Sequence, residues 1–283
     1  MDQRQHYVPQ SYQWGWTEND EGLIWVYRKD EAPRRLSIKK RVGMGINFYG
    51  DETVEKEVSD AAVENAAALV LQKIRDRAPV TPDDKKSLSR FISVFWRRVP
   101  KHRLTVNETC QEMLPAVVGK YRQEISALTP ETETQVARAA HVLAELDRVE
   151  EQYTAEIPDY FFINNIKRAS VFEEALCHMD WAFFEVKRDD PYNNPFITSD
   201  APVVWSKGCG IGDKEKGIVL FPISKDLLLQ AMWVTSFRNA YVPINDVEVR
   251  RFNGYIADEA HTEVYASKKS SGLMALVNSR MKT

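Results

Sequence analysis

Residues 196–205 read Phe-Ile-Thr-Ser-Asp-Ala-Pro-Val-Val-Trp, an apolar run interrupted by two hydroxyl residues, one acid and one proline. We interpret this stretch as a strand that stops at Ser199-Asp200, turns at Pro202 and resumes through Val203, because proline cannot donate a ladder hydrogen bond inside a sheet. Functional groups are commonly placed where a rigid scaffold positions a loop. The pattern therefore predicts that Asp200 is exposed and is the leading site residue.

The segments around this stretch predict an α+β fold. A β-hairpin is indicated near the amino end, with one strand at residues 23–27 and a second through Leu36 and Ile38. Apolar runs indicate further strands, which we expect to form one C-terminal sheet with the strand before Asp200; these runs lie at residues 181–184, 218–221 and 227–233. Strands at both ends and helices between them are typical of α+β proteins, because a parallel α/β fold alternates the two throughout.

The same pattern predicts how the chain is divided. We expect a single domain with two lobes, of which one (residues 51–179) is mainly helical and the other (residues 1–50 with 180–283) is mainly β. The first fifty residues are rich in aromatic side chains, whereas disordered tails are poor in them. The amino-terminal segment is therefore expected to be docked on the rest of the protein.

Helix start and stop signals are clear in the middle of the chain. Residues 81–84, Thr-Pro-Asp-Asp, combine a capping hydroxyl, a proline at the first helical position and acids in the first turn, where the helix dipole favours them. Pro100 is expected to end this helix, which follows an alanine-rich helix through Val54 and Val58. A third helical region is predicted from about Val106 to Leu128, kinked or divided by Pro115.

Two further helices and a turn complete the predicted middle of the chain. A long helix is expected to start at Thr129-Pro130-Glu131 and to end at Pro158. An aromatic helix should follow from Asp159 to Leu176, and residues 189–195 read as a turn.

Composition leaves the class of partner open. The 283 residues are 43% apolar and carry 38 Lys plus Arg against 41 Asp plus Glu, so a large core is expected and no overall basic field indicates nucleic acid. A local basic patch is present on the return arm of the hairpin, at Arg34, Arg35, Lys39, Lys40 and Arg41. Such a patch either binds phosphates or is a solvated edge that prevents aggregation.

Cysteine use and hydropathy predict a cytoplasmic protein without a membrane partner. Cys110, Cys177 and Cys209 stand far apart and include no C-x-x-C, which argues against a disulfide framework or a zinc ribbon. The first residues lack the apolar run of a signal peptide, and no stretch of about eighteen consecutive apolar residues occurs. The oligomeric state is left open.

One short motif resembles half of a nuclease core. Glu185-Val186-Lys187 has the E-x-K order of the PD-(D/E)xK nucleases, which need a second acid on a neighbouring strand to hold a divalent cation. Asp180 or Asp200 would have to supply that acid. The alternative is an ordinary exposed strand face, and three-residue matches are common by chance. The histidine spacing shows no zinc motif, and the glycine-rich loops lack the order of a P-loop.

A family resemblance starts at His6-Tyr7-Val8-Pro9-Gln10. With this element the chain resembles the bacterial family catalogued as domain of unknown function 4238, over nearly its whole length. Further matching pieces are Asn47-Phe48-Tyr49, Val63-Glu64, Arg98-Val99-Pro100, residues 196–203 and Phe221-Pro222-Ile223-Ser224. The chain departs from the family pattern at Ala201, where asparagine is usual, and at Val99, where threonine is usual.

The resemblance selects five polar residues as candidate catalytic groups, namely His6, Gln10, Glu64, Arg98 and Asp200. We hypothesise that the fold gathers them in one cleft, because together they suit acid-base hydrolysis of a phosphodiester. Glu64 and Asp200 would hold a divalent metal ion (Mg²⁺ or Mn²⁺) or activate water, His6 would transfer a proton, Arg98 would stabilise phosphate charge and Gln10 would orient the substrate. Candidate substrate-binding residues are Tyr7, Arg34, Arg35, Lys39 and Ser199.

The predicted function is that of a hydrolase, a nuclease or phosphodiesterase, acting on nucleic acid or a nucleotide, in the setting of a bacterial toxin or defence effector. The alternative is a module that binds nucleic acid or protein without chemistry, through the basic hairpin and the aromatic amino terminus. A scaffold within an assembly is a third class, and it would expose a large apolar patch. In a purely structural alternative Arg98 pairs with Asp200 or Glu64, and His6 caps a loop.

Overall fold

The structure is a computed structural model that describes residues 3–18, 21–50, 54–56, 61–187, 194–206 and 208–281, and for residues 151–158 the backbone alone. The predicted turn at residues 189–195 therefore lies mostly outside the described residues, as does Val58 of the predicted first helix. The chain divides into two compact units, Met1–Pro100 with Lys167–Thr283 and Lys101–Ile166. These units have other boundaries than the two predicted lobes.

The strands confirm the predicted α+β class, with a short strand pair at the amino end and mostly antiparallel sheets. In chain order they are β1 (Arg4–His6), β2 (Leu23–Tyr27), β3 (Arg34–Ser37), β4 (Met44–Ile46), β5 (Asp180–Val186), β6 (Thr198–Ser199), β7 (Val204–Trp205), β8 (Ile218–Ser224), β9 (Leu227–Met232), β10 (Tyr241–Ile244) and β11 (Val264–Ala266). β1 pairs with β4, and the larger sheets have the orders β10-β5-β9-β8-β7 and β3-β2-β11-β6. Only β10 and β5 are parallel among these pairs.

The stretch at residues 196–205 is divided between both large sheets. β6 pairs with β11, where Ser199 lies opposite Val264, whereas β7 pairs with β8. The prediction that the strand before Asp200 joins the other C-terminal strands in one sheet is therefore wrong. The reason is that β6 finds its ladder partners in β11, which also pairs with the amino-terminal hairpin through β2.

The helices of the first unit are α1 (Gln10–Gln13), α2 (Ala61–Arg75), α3 (Pro82–Arg97), α6 (Val171–His178), α7 (Asp246–Glu259) and α8 (Ser271–Arg280), with a 3₁₀ turn at Trp14–Trp16. α3 starts as predicted. Its capping box is complete, because the Thr81 hydroxyl accepts from the Asp84 amide and the Asp84 carboxylate accepts from the Thr81 amide.

The second unit is built from α4 (Pro100–Ser126) and α5 (Glu133–Lys167). The helices are antiparallel, because Arg103 pairs with Asp159 and Arg122 with Asp147, both at 2.5 Å. Pro115 lies inside α4, as predicted. Among the residues that the structure describes, no helix combines the length and apolarity needed to cross a membrane.

The predicted end of the long helix at Pro158 is wrong, because α5 continues to Lys167. The stop signal lies instead at Ser170, whose hydroxyl accepts from the Glu173 amide and caps α6. The aromatic segment from Asp159 therefore belongs to two helices. Pro100, expected only to end α3, is also the first residue of α4, a position that tolerates proline because its amide would be unpaired anyway.

An aromatic core docks the amino terminus, as predicted. The Tyr12 ring stacks on Phe221 of β8 at 5.1 Å and meets the Phe95 ring of α3 edge-on at 5.0 Å. The Tyr12 hydroxyl bonds Thr198 Oγ1 at 2.7 Å, and Trp16 Nε1 donates to the Phe196 carbonyl at 3.1 Å. The stretch at residues 196–205 is thus packed directly beneath the amino-terminal segment.

Candidate functional site

The amino-terminal segment at His6-Tyr7-Val8 is held by a tight backbone contact. The amides of Tyr7 and Val8 both donate to the Gly43 carbonyl at 3.0 Å. Gly43 has φ +62°, and a Cβ atom there would lie 2.4 Å from Val8 Cβ. Only glycine fits this close approach. The segment that carries His6 and Tyr7 is therefore rigidly placed.

His6 is a half-buried histidine with one free ring nitrogen. Its Nε2 lies 3.3 Å from the Ile38 carbonyl and 3.2 Å from the Gln10 side-chain nitrogen. A carbonyl only accepts and an amide nitrogen only donates, so these two contacts call for opposite tautomers. We assign the ring proton to Nε2 for the hydrogen bond to Ile38, and the Gln10 amide must then turn its oxygen toward the ring. Burial lowers the pKa of His6 below 6.5, and the Arg98 charge lowers it further. The imidazole is thus neutral near neutral pH, and within the described residues Nδ1 has no hydrogen-bond partner.

Arg98 joins the amino-terminal segment to two helices. Its Nε donates to the Tyr7 carbonyl at 2.9 Å, and its Nη1 bonds Glu64 of α2 at 2.7 Å. The Arg98 side chain is 2% exposed and the Glu64 side chain 27%. Nη2 is buried and has no hydrogen-bond partner among the residues that the structure describes, and the guanidinium lies over the Phe95 ring at 5.6 Å. The pairing of Arg98 with Glu64 that the structural alternative allowed is therefore present.

Tyr7 connects this cluster to a second group of polar residues. Burial raises the pKa of the Tyr7 hydroxyl well above its ordinary value, and the negative charges of Asp200 and Glu263 raise it further. The charges of those two acids thus act on the Tyr7 hydroxyl, while the Tyr7 carbonyl accepts from Arg98.

Asp200 is fully buried, so the prediction that it is exposed is wrong. Its two carboxylate oxygens accept from the amides of His261 (2.8 Å), Thr262 (2.7 Å) and Glu263 (3.1 Å) and from the Thr262 hydroxyl (2.8 Å). Burial raises the pKa of Asp200, and the hydrogen bonds from these amides oppose the rise. Asp200 anchors the loop before β11 and presents no free oxygen lone pair to solvent.

Sequence reasoning missed three residues of this second group, Arg28, Glu263 and Tyr265. Glu263 is buried, and it accepts from Arg28 Nη2 at 2.6 Å and from the Tyr265 hydroxyl at 2.8 Å. Alternation at Glu263-Val264-Tyr265 is a weak sign that both polar residues share one strand face. Nothing local links Arg28 to them, because it is 235 positions from Glu263.

The predicted substrate-binding residues are placed in different environments. Ser199 is buried and its hydroxyl accepts from the Ala201 amide at 3.2 Å, so it is engaged within the turn. Arg34 and Arg35 are exposed on β3, and Lys39 is exposed in the turn after it. Lys39 Nζ lies 5.9 Å from the centre of the Trp14 ring, which is 37% exposed.

A cationic segment borders His6. The imidazole contacts the carbonyl of Ile38, and the next three residues, 39–41, are exposed Lys, Lys and Arg. Arg4, on the same strand as His6, donates from Nη1 to the Lys40 carbonyl at 3.3 Å. We call Arg4 with residues 39–41 the basic segment. The structure therefore brings the predicted basic patch next to the predicted histidine.

The E-x-K motif receives no second acid from the residues we expected. Glu185 forms an ion pair with Arg77, and Asp180 pairs with Arg238 at 2.7 Å. Among the described residues, no group of three or more His, Cys, Asp or Glu side chains is arranged to hold a metal ion. The geometry thus adds no support to metal binding by Glu185 or by the predicted pair of Glu64 and Asp200.

A family model described as "Protein of unknown function (DUF4238)" matches residues 4–270, nearly the whole chain. No curated protein and no solved structure matches this chain.

Proposed function

This chain belongs to the DUF4238 family of proteins of unknown function, and from the geometry around His6 we propose that it hydrolyses phosphodiester bonds in nucleic acid or nucleotides. The observation that carries the proposal is a neutral imidazole whose Nδ1 is bonded by none of the described residues, next to an exposed basic segment. A proton acceptor beside cations is the combination that hydrolysis of an anionic ester needs.

In the proposed reaction His6 Nδ1 takes a proton from water as the water oxygen bonds to phosphorus. The bond from phosphorus to the leaving ester oxygen breaks, and that oxygen takes a proton from bulk water. The basic segment binds the phosphate oxygens, since Lys and Arg side chains stabilise the charge that develops there. Gln10 contacts the opposite ring nitrogen and helps to hold the imidazole in place.

Glu64, Arg98 and Asp200 act in this proposal as positioning residues. Arg98 holds the Tyr7 carbonyl and so places His6, and Glu64 holds Arg98. Asp200 holds the loop that carries Glu263, whose charge acts on the Tyr7 hydroxyl. A Mg²⁺ or Mn²⁺ ion at the site would have to take Glu64 from Arg98, so we base the reaction on His6 and not on a metal.

The test is hydrolysis of fluorescently labelled single-stranded RNA and DNA, with and without Mg²⁺. His6→Gln is expected to lower kcat/KM by about a hundredfold, the lower range for general base catalysis by a side chain. Because the pKa of His6 lies below 6.5, the wild-type rate should hold at neutral pH and fall only as the pH drops below 6.5. The residual rate of His6→Gln should not show this fall at low pH.

The matched control is His178→Gln, which changes an exposed histidine whose Nδ1 contacts the Glu174 carbonyl. It should retain the wild-type rate and pH profile. Equal rates for His6→Gln and the wild type, with both proteins folded, would overturn the proposal. A rate that depends strictly on Mg²⁺ and is lost in Glu64→Gln would instead return the chemistry to a metal.

A second candidate function, nucleic-acid binding without hydrolysis, is favoured by the Lys39 and Trp14 pair, since cations beside exposed aromatic rings suit single-stranded nucleic acid. Fluorescence anisotropy with labelled RNA measures the affinity of this binding. The triple change Arg34→Gln, Arg35→Gln and Lys39→Gln should lower the slope of log Kd against the logarithm of the salt concentration by about 2, since each phosphate contact contributes roughly 0.7 to that slope. The control triple Lys86→Gln, Lys120→Gln and Lys216→Gln removes as much charge and should leave the slope unchanged. Binding without hydrolysis would favour this function.

The proposed setting is the cytoplasm, because Cys110, Cys177 and Cys209 are all free thiols, which persist in a reducing compartment. A hydrolase of nucleic acid there would suit a toxin or defence effector. Growth arrest on expression of the wild type, but not of His6→Gln, is the expected sign.

A further inference from the structure

A cavity of about 620 Å³ lies away from the His6 cluster, on one face of the four-stranded sheet. Its volume is within the range of roughly 300–1,000 Å³ that is usual for small-molecule sites. Ile197 and Ala266 line it from the sheet, and Leu273 and Leu276 line it from α8. One wall of the cavity is therefore apolar.

The other wall is cationic. Arg250, Lys268 and Lys269 line the cavity, and among the described residues of its lining none is acidic. Arg250 is oriented by an ion pair with Asp246, one helical turn earlier, at 2.6 Å. Lys269 Nζ lies over the Trp25 ring at 5.4 Å from its centre. Arg250 is balanced by Asp246, whereas Lys268 and Lys269 have no acid beside them among the described lining residues, and this excess of positive charge favours an anionic ligand.

The lining is also fixed in position before any ligand arrives. The Tyr27 hydroxyl donates to the Lys268 carbonyl at 3.1 Å and accepts from the Ser270 amide at 2.8 Å, which holds the lysine-bearing loop. Asn253 holds the opposite wall, since its side chain bonds the Pro195 carbonyl at 3.0 Å and the Ile197 amide at 3.1 Å. A fixed site loses little conformational entropy on binding.

We infer that this cavity binds a 5′-mononucleotide. The planar base lies against the partly exposed side chains of Leu273 and Leu276, and the phosphate bonds Lys268, Lys269 and Arg250. An apolar wall opposite a cationic one matches a ligand that has an uncharged ring at one end and phosphate at the other. Free phosphate would leave the apolar side chains in contact with water, and a free nucleoside would leave the cations without an anionic partner. The inference does not depend on the proposed hydrolysis, because the His6 cluster contributes no lining residue.

Isothermal titration of the full chain with the four 5′-mononucleotides tests this inference. At least one should bind, and its nucleoside and inorganic phosphate should each bind at least about tenfold more weakly. Lys268→Gln should weaken binding by about tenfold, the effect of losing one charge-assisted hydrogen bond. Lys216→Gln, which removes an exposed lysine outside the lining, is the matched control and should change nothing.

A second variant keeps the test independent of charge. Gly272 lines the cavity, and a Cβ atom there would meet only Ser270 Oγ at 3.6 Å, so the backbone accepts a side chain. Gly272→Leu should abolish binding and leave the melting temperature close to that of the wild type. His6→Gln should bind as the wild type does. Failure of all four mononucleotides to bind, or equal affinities for Lys268→Gln and Lys216→Gln, would overturn the inference.

Discussion

Asp200→Ala is expected to lower the free energy of unfolding by about 3–5 kcal/mol, the usual cost of breaking a buried charged network by removing one partner. The change leaves the amides of His261, Thr262 and Glu263 without their acceptor inside the protein. Buried donors that lose their partner cost about 1–3 kcal/mol each, and local relaxation recovers part of that sum. This stability loss is what distinguishes a loop anchor from an exposed catalytic acid.

Urea unfolding followed by circular dichroism measures the effect. Asp213→Ala is the matched control, because the Asp213 carboxylate also accepts two backbone amides, of Glu215 and Lys216 at 2.9 Å, but lies on the surface. Asp213→Ala should lose far less free energy of unfolding than Asp200→Ala, since water replaces the lost acceptor at the surface. Asp200→Asn should fall between wild type and Asp200→Ala because it keeps one acceptor oxygen. A stable Asp200→Asn without activity would indicate a direct chemical role for the carboxylate.

Arg98→Ala should also lower the free energy of unfolding by about 3 kcal/mol, since it removes a buried guanidinium that bonds two segments. The Tyr7 carbonyl would lose its donor, and Glu64 would lose its partner. Arg98→Lys should recover little of this stability, because a single ammonium cannot reproduce the fork that reaches both acceptors. Hydrolysis by the stable fraction should fall as well, since the backbone beside His6 loses its anchor.

A double-mutant cycle isolates the pair from its surroundings. We expect Arg98→Ala and Glu64→Gln to couple by about 2 kcal/mol, within the range found for residues of one buried network. The surface pair Arg148 and Glu145, at 2.9 Å, is the control and should couple by at most about 1 kcal/mol. Coupling energies that are equal for the two pairs would contradict the buried role of Arg98.

Local signals in the sequence predicted the elements that depend on neighbours along the chain. The capping residues at 81–84 start α3 because hydroxyl, proline and acid act within one helical turn. The hairpin of β2 and β3 follows from an apolar run and a second short apolar segment after it, and the family model matches residues 4–270. Pro158 misled the same reasoning, because a proline disfavours a helix locally without deciding where a long helix ends.

The candidate site was predicted only in part for the same reason. The family resemblance selected His6, Gln10, Glu64, Arg98 and Asp200 as one cluster. The structure shows contacts that join His6 to Gln10 and Arg98 to Glu64, whereas Asp200 bonds the loop at 261–263. The sequence did not indicate that the contact between Ile38 and His6 brings the basic segment to the imidazole. The larger error was the prediction that Asp200 is exposed. A strand followed by Ser-Asp has the same sequence whether its end is exposed to solvent or buried by another segment.

By itself, the sequence determined the α+β class, the family and the start of α3, because capping, turn chemistry and periodicity act over three or four residues. Only the tertiary structure decided that Asp200 is an anchor and that His6 has a lowered pKa. Both properties depend on burial and on charges from distant segments, such as the loop at 261–263 and Arg98. Desolvation depends on which segments pack together, and no local pattern records that.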